Sequence, residues 1–239
     1  MQPPADAASQ AAAADPIKAV VSRMEAIAAP LAEGDGVARF NELYLAVTHA
    51  VIQETRADNY EDPLFISRLD VVFADLYFEA IDADAADKAL PKAWAPLFDR
   101  RHDRRVAPLQ FAIAGMNAHI NHDLALALVE TCDEFGIDLD HNTAQYRDYL
   151  AVNKTLERVE GEIKARYTTG ALGDIERAMG TLDDVLANWS VARARDNAWV
   201  TAQTIHALRD KSFLLKQFML GLGRNVGFAG RGLLVRTQM

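Results

Sequence analysis

The stretch PLQFAIAGMNAHINHDLALALVETCDEF, residues 108–135, gives the strongest indication of the fold class because it is the longest predominantly apolar run in the chain. Pro108 is typical of the first residue of a helix, and Gly136 is typical of the residue just after a helix end. Between them, apolar residues occupy nearly every side of a helical projection, which indicates a helix buried all round. We therefore predict an all-α fold, a single-domain helical bundle of about seven to nine helices around this central apolar helix.

Helix signals elsewhere in the chain support this prediction. Asp15-Pro16 and Asp62-Pro63 each join an N-cap residue to a proline that suits the first helical turn. No alternating apolar and polar run is long enough to indicate a sheet. We predict a short helix after Pro91 and longer helices over residues 16–31, 36–55, 63–81, 143–167, 175–208 and from 212 onward.

The two ends of the chain are expected to lie outside the domain. Residues 1–14 are Ala-rich and are predicted to form a flexible tail, which leaves an all-α domain over residues 15–226. The segment GLGRNVGFAGRG, residues 221–232, lacks the preceding strand and the G-K-[ST] of a phosphate loop. We expect it to be a helix end followed by a Gly-rich C-terminal tail over residues 227–239.

Composition narrows the classes of function. The chain has 239 residues, half of them hydrophobic, and its formal net charge of -9 argues against binding to nucleic acid or to an anionic membrane. Residues 1–15 lack the basic and apolar regions of a signal peptide, and no apolar run approaches the length of a membrane span. Cys132 stands alone in the apolar run, as is typical of a reduced, buried thiol. We expect a cytoplasmic protein that binds a small molecule, with a homo-oligomer left open.

Polar residues interrupt the central helix at GMNAHINHDL, residues 115–124. A projection at about 100° per residue places His119 and Asp123, four residues apart, within the apolar stripe. Asn117 and His122 fall on its two flanks, and Asn121 points to the far side. We therefore predict that His119 and Asp123 are buried side by side.

This pairing has three interpretations. A buried carboxylate needs a donor or a cation, and a carboxylate that orients an imidazole is a common general-base arrangement. His119 and Asp123, with Asn121 and Asn117 beside them, are therefore candidate catalytic residues. We expect the two asparagines to hydrogen-bond either a substrate carbonyl or a neighbouring helix. The same spacing suits a pair of metal ligands. A polar network that only ties neighbouring helices together is the third alternative.

The pattern of possible metal-coordinating residues does not favour a bound metal, and no other cofactor is favoured either. A zinc or iron site needs three or four protein ligands, and the chain contains no E-x-x-H pair of the kind that builds ferritin-like centres. If a divalent metal such as Zn or Fe is bound, the candidate ligands are His119, Asp123 and His122.

Residues on other helices are candidates for the wall of a substrate pocket. They combine aromatic rings with one carboxylate, and they are Tyr44, Asp70, Phe73, Tyr77 and Trp199. On the late helix, Arg195, Trp199 and His206 share one side, a mixture that suits a polar or carboxylate-bearing ligand. An exposed, ion-paired face with Trp199 packed at its edge is the alternative.

Several segments together resemble a known family. They are RFNELYLAVTHAV (residues 39–51), DPLFISRLDVVFADLYFEA (62–80), PKAWAPLF (91–98), RARDNAW (193–199) and above all N-A-H-I-N-x-D-L, formed here by residues 117–124. Over about residues 36 to 210 the chain is similar to a mainly actinobacterial family of domains of unknown function. The resemblance implies more weight for His119, Asn121 and Asp123 than for His122, which occupies a freer position of the motif.

These patterns lead to one preferred function and two alternatives. We expect a small-molecule enzyme, with secondary metabolism as one setting, that uses a buried His-Asp pair for general acid/base chemistry such as cyclisation, isomerisation or elimination. Nucleophilic hydrolysis fits less well because no Ser or Cys stands in a recognisable nucleophile context. The alternatives are a metal-dependent hydrolase or oxygenase with His119 and Asp123 as ligands, and a non-catalytic helical ligand-binding or interaction protein.

Overall fold

A computed structural model describes residues 5–56, 59–169 and 190–236. Within these ranges the backbone forms eight helices and no strand, so the all-α prediction is confirmed. The helices are α1 (Ala5–Ala28), α2 (Gly36–Arg56), α3 (Pro63–Ala85), α4 (Ala95–Arg100), α5 (residues 108–135), α6 (Ala144–Thr169), α7 (Val191–Ala207) and α8 (Ser212–Leu233). None of the helices in the described part of the chain is both long enough and apolar enough to cross a membrane.

Helix α5 is continuous but changes its winding in the middle. It runs as an α-helix over Pro108–Ala118, as a π-helix over His119–Asp123 and again as an α-helix over Leu124–Phe135. The Leu124 backbone N–H donates to the carbonyl of His119, five residues back, which is the bond that defines a π turn. Such turns often occur at functional sites, and this one coincides with the polar cluster.

The other helices surround α5, as its apolar character predicts. The first half of α5 packs against α2 and α8, the second half against α3 and α7, and the π turn against α3, α7 and α8. Helix α1 covers α2 and α3, and α6 packs on α2, α3 and α7. Buried residues such as Ala118, Leu124 and Leu128 on α5 therefore lie at the centre of the main core.

The predicted helix signals are confirmed at several boundaries. Asp62 caps α3 through its Oδ1, which accepts a 3.1 Å hydrogen bond from the Phe65 backbone N–H. Gly136 ends α5 with a φ of 64°, a left-handed conformation that glycine adopts without strain. The first part of the predicted 175–208 helix, residues 175–189, lies outside the described residues.

The N-terminal boundary differs from the expectation. Helix α1 begins at Ala5, so residues 5–14 of the expected flexible tail have helical backbone, and Pro16 lies inside the helix. Alanine has the highest helix propensity of all residues, which accounts for helix formation across this Ala-rich segment.

The C-terminal boundary also differs, and packing explains why. Helix α8 continues to Leu233 through glycines that were expected to end it. Gly227 lies so close to the loop before α4 that a Cβ atom there would be 2.2 Å from the carbonyl oxygen of Lys92. Glycine therefore serves close packing of α8 and not chain flexibility, and the predicted tail from residue 227 is wrong as far as Leu233.

Candidate functional site

Asp123 is the centre of a buried hydrogen-bond network on the π turn of α5. Its Oδ2 accepts a 2.8 Å hydrogen bond from the Trp94 indole and lies 3.1 Å from His119 Nδ1. Its Oδ1 lies 2.7 Å from His122 Nδ1. The side chains of His119 and Asp123 are each about 3% exposed. Three donors thus satisfy a carboxylate that would otherwise be costly to bury.

The contacts of Asp123 determine the protonation of His119. Burial alone would raise the pKa of Asp123, but the hydrogen bonds from His119 and His122 outweigh burial and hold the pKa below its usual value. A carboxylate only accepts hydrogen bonds, so His119 Nδ1 carries the proton. Burial lowers the pKa of His119, more strongly than Asp123 raises it. His119 is therefore a neutral imidazole at neutral pH, and its lone pair is on Nε2.

Aromatic rings enclose the imidazole of His119. Phe73 stacks on it with 3.5 Å between ring centroids and 6° between planes, and Tyr44 meets it edge-on at 4.5 Å. Phe40 and Trp94 lie within 6 Å of it. A negatively polarised aromatic face against the imidazole also stabilises a positive charge there, so the imidazolium formed by proton uptake would have two sources of stabilisation, Phe73 and Asp123.

A cavity of about 120 Å³ lies between α2, α3, α5, α6 and α7, and His119 lines it. All its lining residues are apolar or aromatic hydrocarbon side chains except Tyr44, Asp70, His119 and Arg195. The apolar stripe predicted on α5 contributes Leu109, Ile113, Met116 and Ile120 to this wall. One face of the central helix thus borders a small, mainly apolar space, as is typical of small-molecule sites.

Polar atoms without partners concentrate at this cavity. Tyr44 Oη, Asp70 Oδ2 and His119 Nε2 are buried and have no hydrogen-bond partner in the structure. Only four other buried side-chain polar atoms in the described ranges share this property. Buried polar atoms are nearly always hydrogen-bonded in proteins, so three unpartnered ones around one cavity point to a ligand that supplies the missing partners.

Asp70 and Arg195 are the charged residues of the cavity wall. Burial raises the pKa of Asp70 to about 7, although the positive charge of Arg195 acts in the opposite direction. Arg195 is 6% exposed and is held by Asn153 and the backbone carbonyl of Tyr149. The sequence pattern indicated Arg195 only as one of three residues on the same side of a helix. In the structure Arg195 lines the cavity, whereas Trp199 and His206 do not.

Asn117 and Asn121 do not take part in the cavity. The amide of Asn117 donates a 3.0 Å hydrogen bond to the carbonyl of Val226 on α8, and Asn121 donates to Asn117 Oδ1 at 3.2 Å. Residues two apart on a helix point to opposite sides, and Asn117 and Asn121 are each two residues from His119. Neither of them lines the cavity, and Asn117 bonds to the neighbouring helix α8, which is one of the two roles expected for these amides.

Two of the predicted pocket residues also lie elsewhere. Tyr77 is fully buried, and its hydroxyl donates to Asn41 Oδ1 at 3.2 Å. Trp199 packs against Tyr146 and Tyr149, with 4.7 and 5.1 Å between ring centroids. Neither of the two lines the cavity, whereas Tyr44, Asp70 and Phe73 do.

His122 and Trp94 contribute more than their sequence positions indicated. The uniform α-helical projection put His122 on a flank, but the π turn winds the chain differently and brings its ring to Asp123. Trp94 was missed because it lies on a different segment of the chain. The sequence signal for this contact was the chemistry of the two side chains, because a buried indole needs an acceptor and a buried carboxylate needs donors.

The donor set around Asp123 does not suit a metal ion. Its Oδ2 accepts from the indole N–H of Trp94, a group that donates and cannot coordinate. In the ranges that the structure describes, no three His, Cys, Asp or Glu side chains lie close enough together to hold a metal. A site built from His119, Asp123 and His122 would require their present hydrogen bonds to break.

Comparison with known proteins gives one match. No curated protein and no solved structure matches the chain significantly. The model of a family described as a family of unknown function, DUF5995, matches residues 17–236, which is most of the chain. The expected membership of a family of unknown function is confirmed, and the chain belongs to the DUF5995 family.

Proposed function

We propose that this protein is a small-molecule enzyme that transfers a proton within the cavity, with His119 as the acid/base group. One observation carries the proposal. The Nδ1–H of His119 donates a hydrogen bond to a buried carboxylate, while its Nε2 is unpartnered and the residue lines a mainly apolar cavity. That arrangement leaves a lone pair available to a bound molecule and holds the ring in a single orientation.

The proposed reaction begins with proton abstraction. Nε2 of His119 takes a proton from the substrate, and the electron pair of the broken bond stays on the substrate. The positive charge on the imidazolium is stabilised by Asp123 at 3.1 Å and by the stacked ring of Phe73. In an isomerisation the imidazolium returns the proton to another atom of the substrate, and in an elimination the electron pair expels a leaving group.

Tyr44 is suited to assist this step. Burial and the nearby Asp70 carboxylate raise the pKa of Tyr44 well above its usual value, so its hydroxyl stays protonated. The hydroxyl has no hydrogen-bond partner in the structure and belongs to the cavity wall. It would donate a hydrogen bond to a substrate oxygen on which negative charge develops.

Proton transfer fits the site better than nucleophilic catalysis. Cys132 is buried outside the cavity, and burial raises the pKa of its thiol to about 12, so a thiolate nucleophile is disfavoured at neutral pH. Among the described residues that line the cavity there is no serine or threonine. No contact of Asp123 favours the metal-dependent alternative. A non-catalytic ligand-binding protein would use the same cavity, and an activity measurement distinguishes it from an enzyme.

Hydrogen exchange into candidate substrates tests the proposal without knowledge of the full reaction. The protein is incubated in D₂O with a panel of small keto acids, enones and aryl ketones, and exchange at carbon is followed by ¹H NMR. The wild type should catalyse exchange in at least one compound, and His119→Asn should reduce the rate about a hundredfold or more. The exposed His49 on α2 gives the matched control, since His49→Asn should exchange like the wild type. Equal rates in wild type and His119→Asn would contradict the proposal and favour a binding role.

A further inference from the structure

Arg195 is a buried cation that has no carboxylate bonded to it among the residues that the structure describes. Its Nε donates to Asn153 Oδ1 and its Nη2 to the Tyr149 carbonyl oxygen, both at 2.7 Å. Its guanidinium also lies 4.0 Å from the centroid of the Tyr149 ring. These acceptors are all neutral, and within the described residues Arg195 is paired with no carboxylate. A guanidinium has five N–H donors, and these two bonds use two of them.

Another arginine of the chain shows the usual solution for a cation with little exposure. Arg101, at 15% side-chain exposure, is paired with Asp35 at 2.8 Å and with Asp84 at 2.7 Å. Burial of an unpaired charge is unfavourable, and a buried guanidinium is normally matched by a carboxylate. Arg195 instead lines the cavity, so the matching anion has room to come from a ligand.

The cavity contains one further ionisable group that bears on this charge. Asp70 also lines the cavity, and burial raises its pKa to about 7, so near neutral pH the carboxyl is protonated in a substantial fraction of molecules. Asp70 is therefore only a partial counter-charge for Arg195. The other described wall residues with ionisable groups are Tyr44 on α2 and His119 on α5, both neutral, and the described side chains of α6 contribute Val152 and Leu156.

We propose that the cavity binds a small monocarboxylate whose carboxylate pairs with Arg195 and whose apolar body fills the space towards His119. That this monocarboxylate is a substrate rests on the proposed function. That the cavity binds it does not depend on the proposed function. Arg195 is the one cationic group among the described wall residues, so it matches one negative charge, and its fork geometry suits a carboxylate. A dianionic phosphate would bring a second charge for which the wall offers no cation.

Binding of simple acids and their amides tests this proposal. The probes are hexanoate and benzoate, each compared with hexanamide or benzamide by calorimetric titration at pH 6.5. Each carboxylate should bind about tenfold or more tightly than its amide, because only the carboxylate neutralises Arg195. Arg195→Met should remove the preference. Arg193→Met, at an exposed position of the same helix, is the matched control and should keep it.

A second variant keeps the test valid if Arg195→Met fails to fold. Ionised Asp70 repels a bound carboxylate, so wild-type affinity for benzoate should fall between pH 6 and pH 8, and Asp70→Asn should bind with little change over that range. Equal binding of acid and amide, no binding of either acid, or a preference that survives in Arg195→Met would overturn the proposal.

The variant His119→Asn separates the two proposals. It should still prefer carboxylates, because Arg195 is unchanged, while it loses hydrogen exchange. Carboxylate binding by a wild type that catalyses no exchange would contradict the proposed enzyme and support the carboxylate site. Hydrogen exchange that occurs only with neutral compounds would support the proposed enzyme and contradict the carboxylate site.

Discussion

The indole N–H of Trp94, just before α4, donates a 2.8 Å hydrogen bond to Oδ2 of Asp123 on the π turn of α5. The same oxygen lies 3.1 Å from His119 Nδ1. Trp94 is completely buried, so water cannot replace it as a donor. Trp94 therefore helps to keep Asp123 ionised, and ionised Asp123 holds His119 in the orientation in which Nε2 is left unpaired.

Trp94→Phe should destabilise the fold mainly through the lost hydrogen bond. A hydrogen bond to a charged group contributes about 1.5–3 kcal/mol, and a buried carboxylate that loses one donor is left partly desolvated. Trp199→Phe is the matched control, because Trp199 is equally buried and its indole N–H has no partner in the structure. In urea unfolding, Trp94→Phe should lower the free energy of unfolding by about 1.5–3 kcal/mol more than Trp199→Phe does. Equal losses would show that the indole bond is unimportant.

Asp70 should make stability depend on pH. Its pKa is raised from 3.8 to about 7 by burial, so between these values the folded state keeps a proton that the unfolded chain has released. Its contribution therefore becomes less favourable as pH rises from about 4 to about 7 and then levels off. Asp70→Asn stays neutral and escapes this loss.

The measurement is urea unfolding of both proteins at pH 5 and pH 8. The free energy of unfolding of Asp70→Asn relative to wild type should increase over that interval by at most about 3 kcal/mol, from 1.36 kcal/mol per pH unit. The exposed Asp75→Asn on the same helix controls for the general effect of removing a carboxylate. A difference that stays constant with pH would mean that Asp70 is ionised normally.

Two glycines of α8 distinguish a packed helix from a flexible tail. A Cβ atom at Gly227 would be 2.2 Å from the Lys92 carbonyl oxygen, whereas one at Gly221 would meet no atom within 4 Å. Gly227→Ala should lower the free energy of unfolding by about 1–3 kcal/mol, because a backbone must move. Gly221→Ala should be neutral or stabilise by up to about 1 kcal/mol, since alanine is the better helix former. If Gly227→Ala is as stable as Gly221→Ala, α8 does not pack against this loop.

Metal content should follow the hydrogen bonds of Asp123. Because both of its oxygens already accept from Trp94 or from histidines, protein purified without a histidine tag should contain zinc and iron only far below one ion per chain. Elemental analysis of wild type and His119→Ala is the measurement. Near-stoichiometric metal in the wild type that is lost in His119→Ala would support the metal-dependent alternative.

The central helix and the inward pairing of His119 with Asp123 could be predicted because they depend on local periodicity. Apolar residues all round residues 108–135 require burial, and a spacing of four residues puts two side chains on one face. The position of His122 could not be predicted, because a projection at a uniform angle per residue does not contain the π turn. A one-dimensional pattern also does not show which helix faces the polar residues, so the bond from Asn117 to the Val226 carbonyl on α8 could not be predicted.

Contacts between distant segments account for the remaining differences. Trp94 reaches Asp123 across 29 residues, and Arg195 meets Tyr149 and Asn153 across more than 40. In the sequence, Gly227 resembles a helix-breaking residue. Its role in close packing is visible only in the structure, where the Lys92 carbonyl lies against it. Such residues are constrained by tertiary neighbours, which local propensity does not encode.

The protonation state of His119 is the most direct test of its proposed role as the acid/base group, and the measurement needs no substrate. The measurement is ¹⁵N NMR of the imidazole nitrogens in uniformly labelled protein at pH 7, with His119 assigned from the His119→Asn spectrum. We expect a neutral ring that is protonated at Nδ1 and unprotonated at Nε2, because Nδ1 donates to Asp123 and burial lowers the pKa of His119. A ring protonated at Nε2, either as the other tautomer or as the imidazolium, would contradict it.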